Sequence, residues 1–559
     1  MVAVGPGGGA VAVPFLGEGR RAAVGVIGAG ERTCARALPI VPVRARGLTV
    51  EGADGRRYLD CRSGAGVLGH NHPVVLEAIR KALGSGAPPH TPGLATPVKD
   101  AFVAELLRTL PPGLAGHARV RLCGPAGTDA VAAALTLART ATGRTGALAF
   151  SDAHHATAAG ICGESPYPYG YRCPYGVDGE RGAELAARWV ESVLDGAQPG
   201  VTRPGCVILD AVQGEGGVVP VPDDWLRRVR QATADRGVLL IADEIRTGVG
   251  RTGAFWAVEH SGVTPDVMVL SQAVGGSLAL AVVVHRGDLA GAPDAHASAF
   301  PGNQLAMAAG TATLAHVREH RLADHAAGLG ARMLRQLRAL AGEFPYVGEV
   351  RGRGLVIGVD MAAAGSDATV ARHAGSGEGV RAPYGGGFDV AAVGGGGRAS
   401  CADAFGLAAA GGGAQAPYLD AFDIAVACGG AHAPYVDAAG EGARAPYPEA
   451  SGIAAAVQRA CLERGLIVGR HGSVVRLLPP LTITDDQATA ILDRFADATA
   501  TVTRGPVLEV TRDPATAVTR DPTARAPTTG APAARPSALA EHRTRCRTNP
   551  PPPRATPPT

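Results

Sequence analysis

The chain has 559 residues, close to half of them apolar, which is enough for two or three domains around a sizeable core. A formal charge of +3 without a basic block argues against a nucleic-acid partner, and no apolar run is long enough for a membrane span. Ten scattered cysteines with no C-x-x-C pair argue against zinc and against a disulfide framework, so a soluble, cytoplasmic protein with reduced thiols and no metal site is expected.

Residues 1–30 read as a flexible glycine-rich lead without the ordered regions of a signal peptide. Gly52-Ala53-Asp54-Gly55 between short extended runs predicts a hairpin. Pro73 opens a helix whose apolar stripe runs Val75, Ala78, Ile79, Ala82, Leu83; Lys81 lies off that stripe. Lys99 sits in the next helical pattern. These two are the only lysines, and every other basic residue is arginine. That matters because a guanidinium cannot form a Schiff base.

Cys123-Gly124-Pro125-Ala126-Gly127-Thr128 leads into an alanine-rich helix, a geometry able to hold a phosphate but usually only a helix cap. A strand at 146–150 runs into His154 and His155, which lack the spacing of a metal site. Residues 165–180, rich in Pro, Tyr and Gly, predict an irregular loop.

The stretch 205–284 carries the strongest pattern. Three continuous apolar runs, 206–210, 238–242 and 267–270, end in Glu215, Asp243-Glu244 and Gln272 respectively. A helical pattern over 224–236 separates the first two. Such runs alternating with helices predict a parallel sheet covered on both faces, whose ligands bind beyond the carboxyl ends of the strands.

Helical patterns follow over 305–340, and 347–359 reads as one strand centred on Arg351-Gly352-Arg353-Gly354. Residues 361–450 carry Gly and Ala tracts with Ala-Pro-Tyr at 382, 416, 433 and 445, and read as a low-complexity insert. Order returns with a helix at 453–466, a strand at 474–478 and a helix at 484–496. A Thr-, Arg- and Pro-rich tail, expected to be disordered, occupies 503–559.

Taken together, several of these pieces resemble the class III, fold-type-I pyridoxal-phosphate aminotransferases, most closely the diaminobutyrate–2-oxoglutarate branch. The pieces are Leu-Gly-His-Asn-His-Pro (68–73), Thr-Pro-Val-Lys-Asp (96–100), Cys-Gly-Pro-Ala-Gly-Thr-Asp-Ala (123–130), Tyr-Pro-Tyr-Gly-Tyr-Arg-Cys-Pro-Tyr-Gly (167–176), Val-Gln-Gly-Glu-Gly-Gly (212–217), Asp-Glu-Ile-Arg-Thr-Gly-Val-Gly-Arg-Thr-Gly (243–253) and Arg-Leu-Leu-Pro-Pro-Leu (476–481). The resemblance covers about 31–360 and 451–500. It implies an α/β fold with a mostly parallel seven-stranded sheet flanked by helices and a smaller C-terminal α/β domain. The corresponding divisions are an N-terminal segment at 31–75, a large cofactor domain at 76–305, and a small domain from 306–360 joined to 451–500.

The same resemblance implies roles for particular residues. Gly127 and Thr128 would hold the phosphate of pyridoxal 5'-phosphate. His154 would stack on its ring, Asp243 would pair with the ring nitrogen and Ile245 would lie beneath the ring. Glu215 would face the substrate, and Arg476 would bind its α-carboxylate. Gln272 stands where the family carries its Schiff-base lysine. An amino-acid donor, a 2-oxo acid acceptor and a homodimer are the implied partners.

Elsewhere the chain departs from the family pattern. Ala126 replaces a hydroxyl residue, Ala132 an acidic one, Ala299 a threonine that reaches the partner's phosphate, and His154 a tyrosine. The loop between Gly160 and Tyr167 is shorter by roughly twenty residues, and a turn at 468–470 is clipped. Two readings follow: an aminotransferase impaired at position 272, or an inactive relative that binds cofactor noncovalently or serves as a partner or scaffold subunit.

Overall fold

Three buried runs, Cys206–Asp210, Leu239–Asp243 and Val267–Leu270, lie side by side and parallel at the centre of a seven-stranded sheet. Ala147–Phe150 and Ile161–Ser165 extend it on one side. Val282–Arg286 and Ala118–Leu122 extend it on the other. Only Val282–Arg286 runs against the rest. The structure is a computed structural model that describes residues 38–62, 66–89, 94–151, 153, 161–196, 203–289, 302–362 and 448–504.

The continuous apolar character of these strands is explained by what covers them. Ala147, Ala149, Ile208, Ile241, Val267 and Val269 pack with the helix Gly127–Thr142 on one face. Leu148, Phe150, Val207, Leu209, Leu240 and Met268 face the other way, into a core shared with Gly179–Leu194 and Asp223–Asp235. With both faces dry, neither set of alternating side chains can be polar.

A second seven-stranded sheet joins the two ends of the chain. Its order is Pro42–Arg46, Thr49–Gly52, Arg57–Cys61, Leu466–His471, Val474–Leu477, Val356–Met361, Val347–Arg353. The expected hairpin at 52–55 forms between Thr49–Gly52 and Arg57–Cys61, and the latter pairs in parallel with Leu466–His471. The sheet thus takes three strands from ahead of residue 76, besides those from the stretches expected to build a small domain. Leu322–Glu343, Pro448–Glu463 and Asp485–Arg504 are the helices associated with it.

Two local readings need correction, and the helical patterns over 305–340 resolve into two helices. The single strand expected over 347–359 is a hairpin: Val347–Arg353 and Val356–Met361 pair antiparallel about a turn at Gly354, φ +54°. The turn is hidden because glycines recur along both arms, at 348, 352 and 358, so Gly354 does not stand out. The helical stretch from 305 breaks at Arg321, φ +50°, into Gln304–Glu319 and Leu322–Glu343. Residues 468–470, expected as a turn, belong to the strand Leu466–His471.

Among the described residues no helix is long and apolar enough to cross a membrane, and no three metal-ligating side chains form a metal site. The lead at 1–30, most of the 361–450 insert and nearly all of the 503–559 tail lie outside the described residues.

Candidate active site

The carboxyl ends of the central strands bring the candidate residues to one place. Asp243 closes Leu239–Asp243, is only 6 % exposed, and accepts from the Ile245 N–H through Oδ1 at 2.9 Å. The Glu244 N–H donates to the Val269 carbonyl at 2.9 Å, fixing this end against the neighbouring strand. That strand continues through Ser271 into Gln272.

Across the sheet, Cys123 and Ala281 exchange backbone contacts with their neighbours: Cys123 N–H to Ala281 O at 2.9 Å, and Ala281 N–H to Gly124 O at 3.1 Å. These hold the turn from which the helix Gly127–Thr142 departs. Asp129 folds back so that its Oδ2 accepts from the Ala126 N–H at 2.9 Å. Alanine at the N-cap has no side-chain acceptor, so the N-cap residue offers nothing to the Gly127 and Thr128 end, and Asp129 is the acidic side chain in that first turn. Gly127 lies directly against Ile245: a Cβ added at Gly127 would meet Ile245 Cδ1 at 2.8 Å. The phosphate-type turn and Ile245, two residues past Asp243, therefore form one surface.

The other half of the site is a charge cluster. Arg476, in Val474–Leu477, donates through Nη1 to Glu215 Oε2 at 3.1 Å and to the Gly214 carbonyl at 2.9 Å. Arg246 donates to the opposite oxygen, Glu215 Oε1. His471 Nδ1 is 3.9 Å from Oε2. Burial lowers the Arg476 pKa, with a smaller contribution from Arg62. Burial also lowers that of Arg246, and Arg476 adds to the effect. One carboxylate between two arginines offsets this cost.

Arg246 was not singled out from the sequence. It lies three residues after Asp243, but only the tertiary fold shows that it reaches Glu215. Because Ile245 touches Gly127 and Arg246 touches Glu215, the turn 243–246 ties both halves together.

Glu244 braces that turn from within, and a second buried ionisable group, Arg251, follows it in the chain. Glu244 accepts from Thr247 Oγ1 at 2.7 Å and from the Val258 N–H at 3.0 Å. Burial nevertheless pushes its pKa up to about 7. Arg251 donates to the carbonyls of Pro479 at 3.2 Å and Gly66 at 3.0 Å, and burial lowers its pKa to about 10.

Gln272 is exposed, between Ser271 and Ala273, which are 3 % and 5 % exposed. Its φ is +41°, a region costly for any residue with a Cβ. Thr128 is exposed at the helix start. His154 and Ala299 lie outside the described residues.

These residues fit three parts of pyridoxal phosphate. The helix start at Gly127 suits a phosphate, the buried Asp243 carboxylate suits a protonated ring nitrogen, and Ile245 offers an apolar surface to a ring. Gln272 does not fit the fourth part, because an amide nitrogen cannot form an imine with the aldehyde.

The family model for "Aminotransferase class-III" matches residues 32–386. A diaminobutyrate–2-oxoglutarate aminotransferase of Rhizobium meliloti (strain 1021) is 49 % identical over 352 residues, covering 59 % of this chain and 75 % of that protein. One of Haemophilus influenzae (strain ATCC 51907 / DSM 11121 / KW20 / Rd) is 42 % identical over 352 residues, covering 59 % and 77 %. Among solved structures, an amine transaminase from an uncultivated Pseudomonas species in a PLP-bound form superposes with a TM-score of 0.61 at 25 % identity, covering 86 % of this chain and 98 % of that one.

Proposed function

This chain belongs to the class-III aminotransferases, and on that premise we propose that its site is built to move an amino group between L-2,4-diaminobutyrate and 2-oxoglutarate, with Gln272 in the Schiff-base position making turnover slow. Pyridoxal 5'-phosphate is the cofactor of this family. When bound, it supplies an electron sink for the substrate's α-carbon.

The observation that carries the reading is the convergence at residues 243–246. Asp243, Ile245 and the Gly127 turn adjoin the Arg246–Glu215–Arg476 cluster. In this reading the Gly127 and Thr128 N–H groups hold the phosphate. Asp243 keeps the ring nitrogen protonated, because its buried carboxylate favours the charged ring. Arg476 grips the substrate α-carboxylate through a charge-assisted pair. Glu215 faces the second amino group of the donor. Gln272 has no basic amine, so it can neither tether the cofactor nor carry the α-proton. Loss of one well-placed general base costs about 10²–10⁴ in rate. The family resemblance also supports a homodimer, which sedimentation at micromolar concentration tests.

Gln272 itself favours a second reading, an inactive relative that binds cofactor noncovalently or acts as a partner or scaffold subunit. Amino transfer from diaminobutyrate to 2-oxoglutarate, measured on the native chain and on Gln272→Lys, separates the two. A gain of two or more orders of magnitude in the variant supports an otherwise intact aminotransferase site. No gain, with the variant folded and cofactor-bound, supports the second reading. Fast turnover by the native chain, with borohydride fixing cofactor to Lys81 or Lys99, overturns the role given to Gln272.

A further inference from the structure

The mismatch at position 272 has a positive side. The turn after Val267–Leu270 is anchored around Gln272: Ser271 Oγ donates to the Leu280 carbonyl at 3.0 Å, and the Val274 N–H donates to the Ser271 carbonyl at 3.3 Å. Ser271, Ala273 and Val274 are buried, while the side chain between them is exposed. Among the described residues the Gln272 amide makes no hydrogen bond, and its backbone keeps a φ of +41°. A left-handed backbone is unfavourable for a residue with a Cβ, and among the described residues no hydrogen bond of its own side chain offsets it. Residues held in such conformations cluster at active sites and ligand clamps.

What an amide can do there is limited and specific. It offers one carbonyl oxygen as acceptor and one NH2 as donor. Toward the aldehyde form of the cofactor only the NH2 is useful, and the bond is neutral on both sides. Toward the aminated form, pyridoxamine 5'-phosphate, the Oε1 atom accepts from a cationic 4'-ammonium. Charge-assisted bonds are roughly twice as strong as neutral ones. In a site with a lysine, covalent attachment outweighs this difference and favours the aldehyde. In this chain that linkage is absent from position 272.

We propose that the site is a noncovalent receptor for the aminated cofactor, with Gln272 Oε1 selecting pyridoxamine 5'-phosphate over pyridoxal 5'-phosphate. The inference rests on the reading of Gly127, Asp243 and Ile245 as cofactor contacts, and extends it to the form of the cofactor retained.

Equilibrium dialysis of the full chain against three probes separates the two layers. The probes are pyridoxamine 5'-phosphate, pyridoxal 5'-phosphate and 4'-deoxypyridoxine 5'-phosphate, which keeps phosphate and ring but has no polar group at the 4' carbon. A Lys81→Arg background removes the more exposed lysine from side reaction with the aldehyde, its side chain being 76 % exposed. Binding of the deoxy probe tests the underlying site. The inference expects pyridoxamine phosphate to bind about tenfold tighter than the aldehyde, a difference of ~1.4 kcal/mol. Gln272→Met, which keeps length and removes the amide, is expected to abolish that preference while leaving the deoxy probe unaffected. Equal or tighter binding of the aldehyde by the native side chain overturns the inference alone. So does an unchanged preference in Gln272→Met. Failure of all three probes to bind a folded chain overturns the site as well.

Discussion

Arg476 reaches Glu215 at 3.1 Å across 261 intervening steps of sequence, and Arg246 closes on the other oxygen of the same carboxylate. Two partly buried cations therefore depend on one anion. Removing one partner of such a pair leaves charge unmatched in a partly desolvated place.

Glu215→Gln is expected to lower unfolding free energy by about 1–3 kcal/mol, and 2-oxoglutarate should recover part of the loss by supplying a carboxylate. Thermal unfolding with and without 2-oxoglutarate checks both halves. A variant as stable as the native chain would show that the cluster contributes no net stability.

The turn at Gly354 carries a sharper expectation. Its φ is +54°, and an added Cβ would lie 2.6 Å from the Gly253 nitrogen and 2.7 Å from the Arg251 oxygen, both backbone atoms. Neither neighbour can rotate away. Gly354→Ala should destabilise by roughly 3 kcal/mol or more, combining left-handed strain with overpacking. Chemical denaturation gives the value, and a loss under 1 kcal/mol contradicts the packing described.

Glu244 makes stability depend on pH in an unusual direction. Burial raises its pKa to about 7, above its ordinary value of 4.5. The folded chain holds this proton more tightly than the unfolded one. Its contribution is therefore fully present below about pH 4.5 and lost as pH rises to about 7. Glu244→Gln should gain on the native chain across that window, by ~3 kcal/mol at most. Denaturant midpoints at pH 5 and pH 8 test the sign; a gain that does not grow with pH refutes it.

His72 and His316 act oppositely. Their rings lie 4.8 Å apart, and His316 is 4.0 Å from His320. Burial lowers both pKa values, with like charge on His320 adding to it, while Glu319 opposes it at His316. Stability from these groups is present above about pH 6.5 and lost as pH falls through the lowered folded values. His316→Gln should flatten that loss between pH 7 and pH 5. An identical slope in the variant removes the cluster from the account.

Much of the large sheet could be read directly from the chain. A strand buried on both faces must be apolar along its buried length, and 206–209, 239–242 and 267–270 are. Polar residues just past such runs lie at the ligand-binding edge by topology, which is why Asp243 and Gln272 could be named in advance. The Gly-Pro-Ala-Gly turn was legible for the same local reason: it precedes an amphipathic helix whose first N–H groups need a partner. Gly354 escaped because glycines recur through both arms, at 348, 352 and 358, so one more glycine does not mark a turn.

Sequence by itself determined the strand ends, the helix start and the amide at 272, since each follows from local periodicity or from side-chain chemistry. Only tertiary structure decided that Gly127 packs on Ile245, that Arg246 shares Glu215 with Arg476, and that strands from 42–61 complete a sheet with 466–477. Those pairings join segments tens to hundreds of residues apart. Local propensity carries no information about which distant backbone or charge will satisfy a group, because that choice is made by burial of the whole core at once.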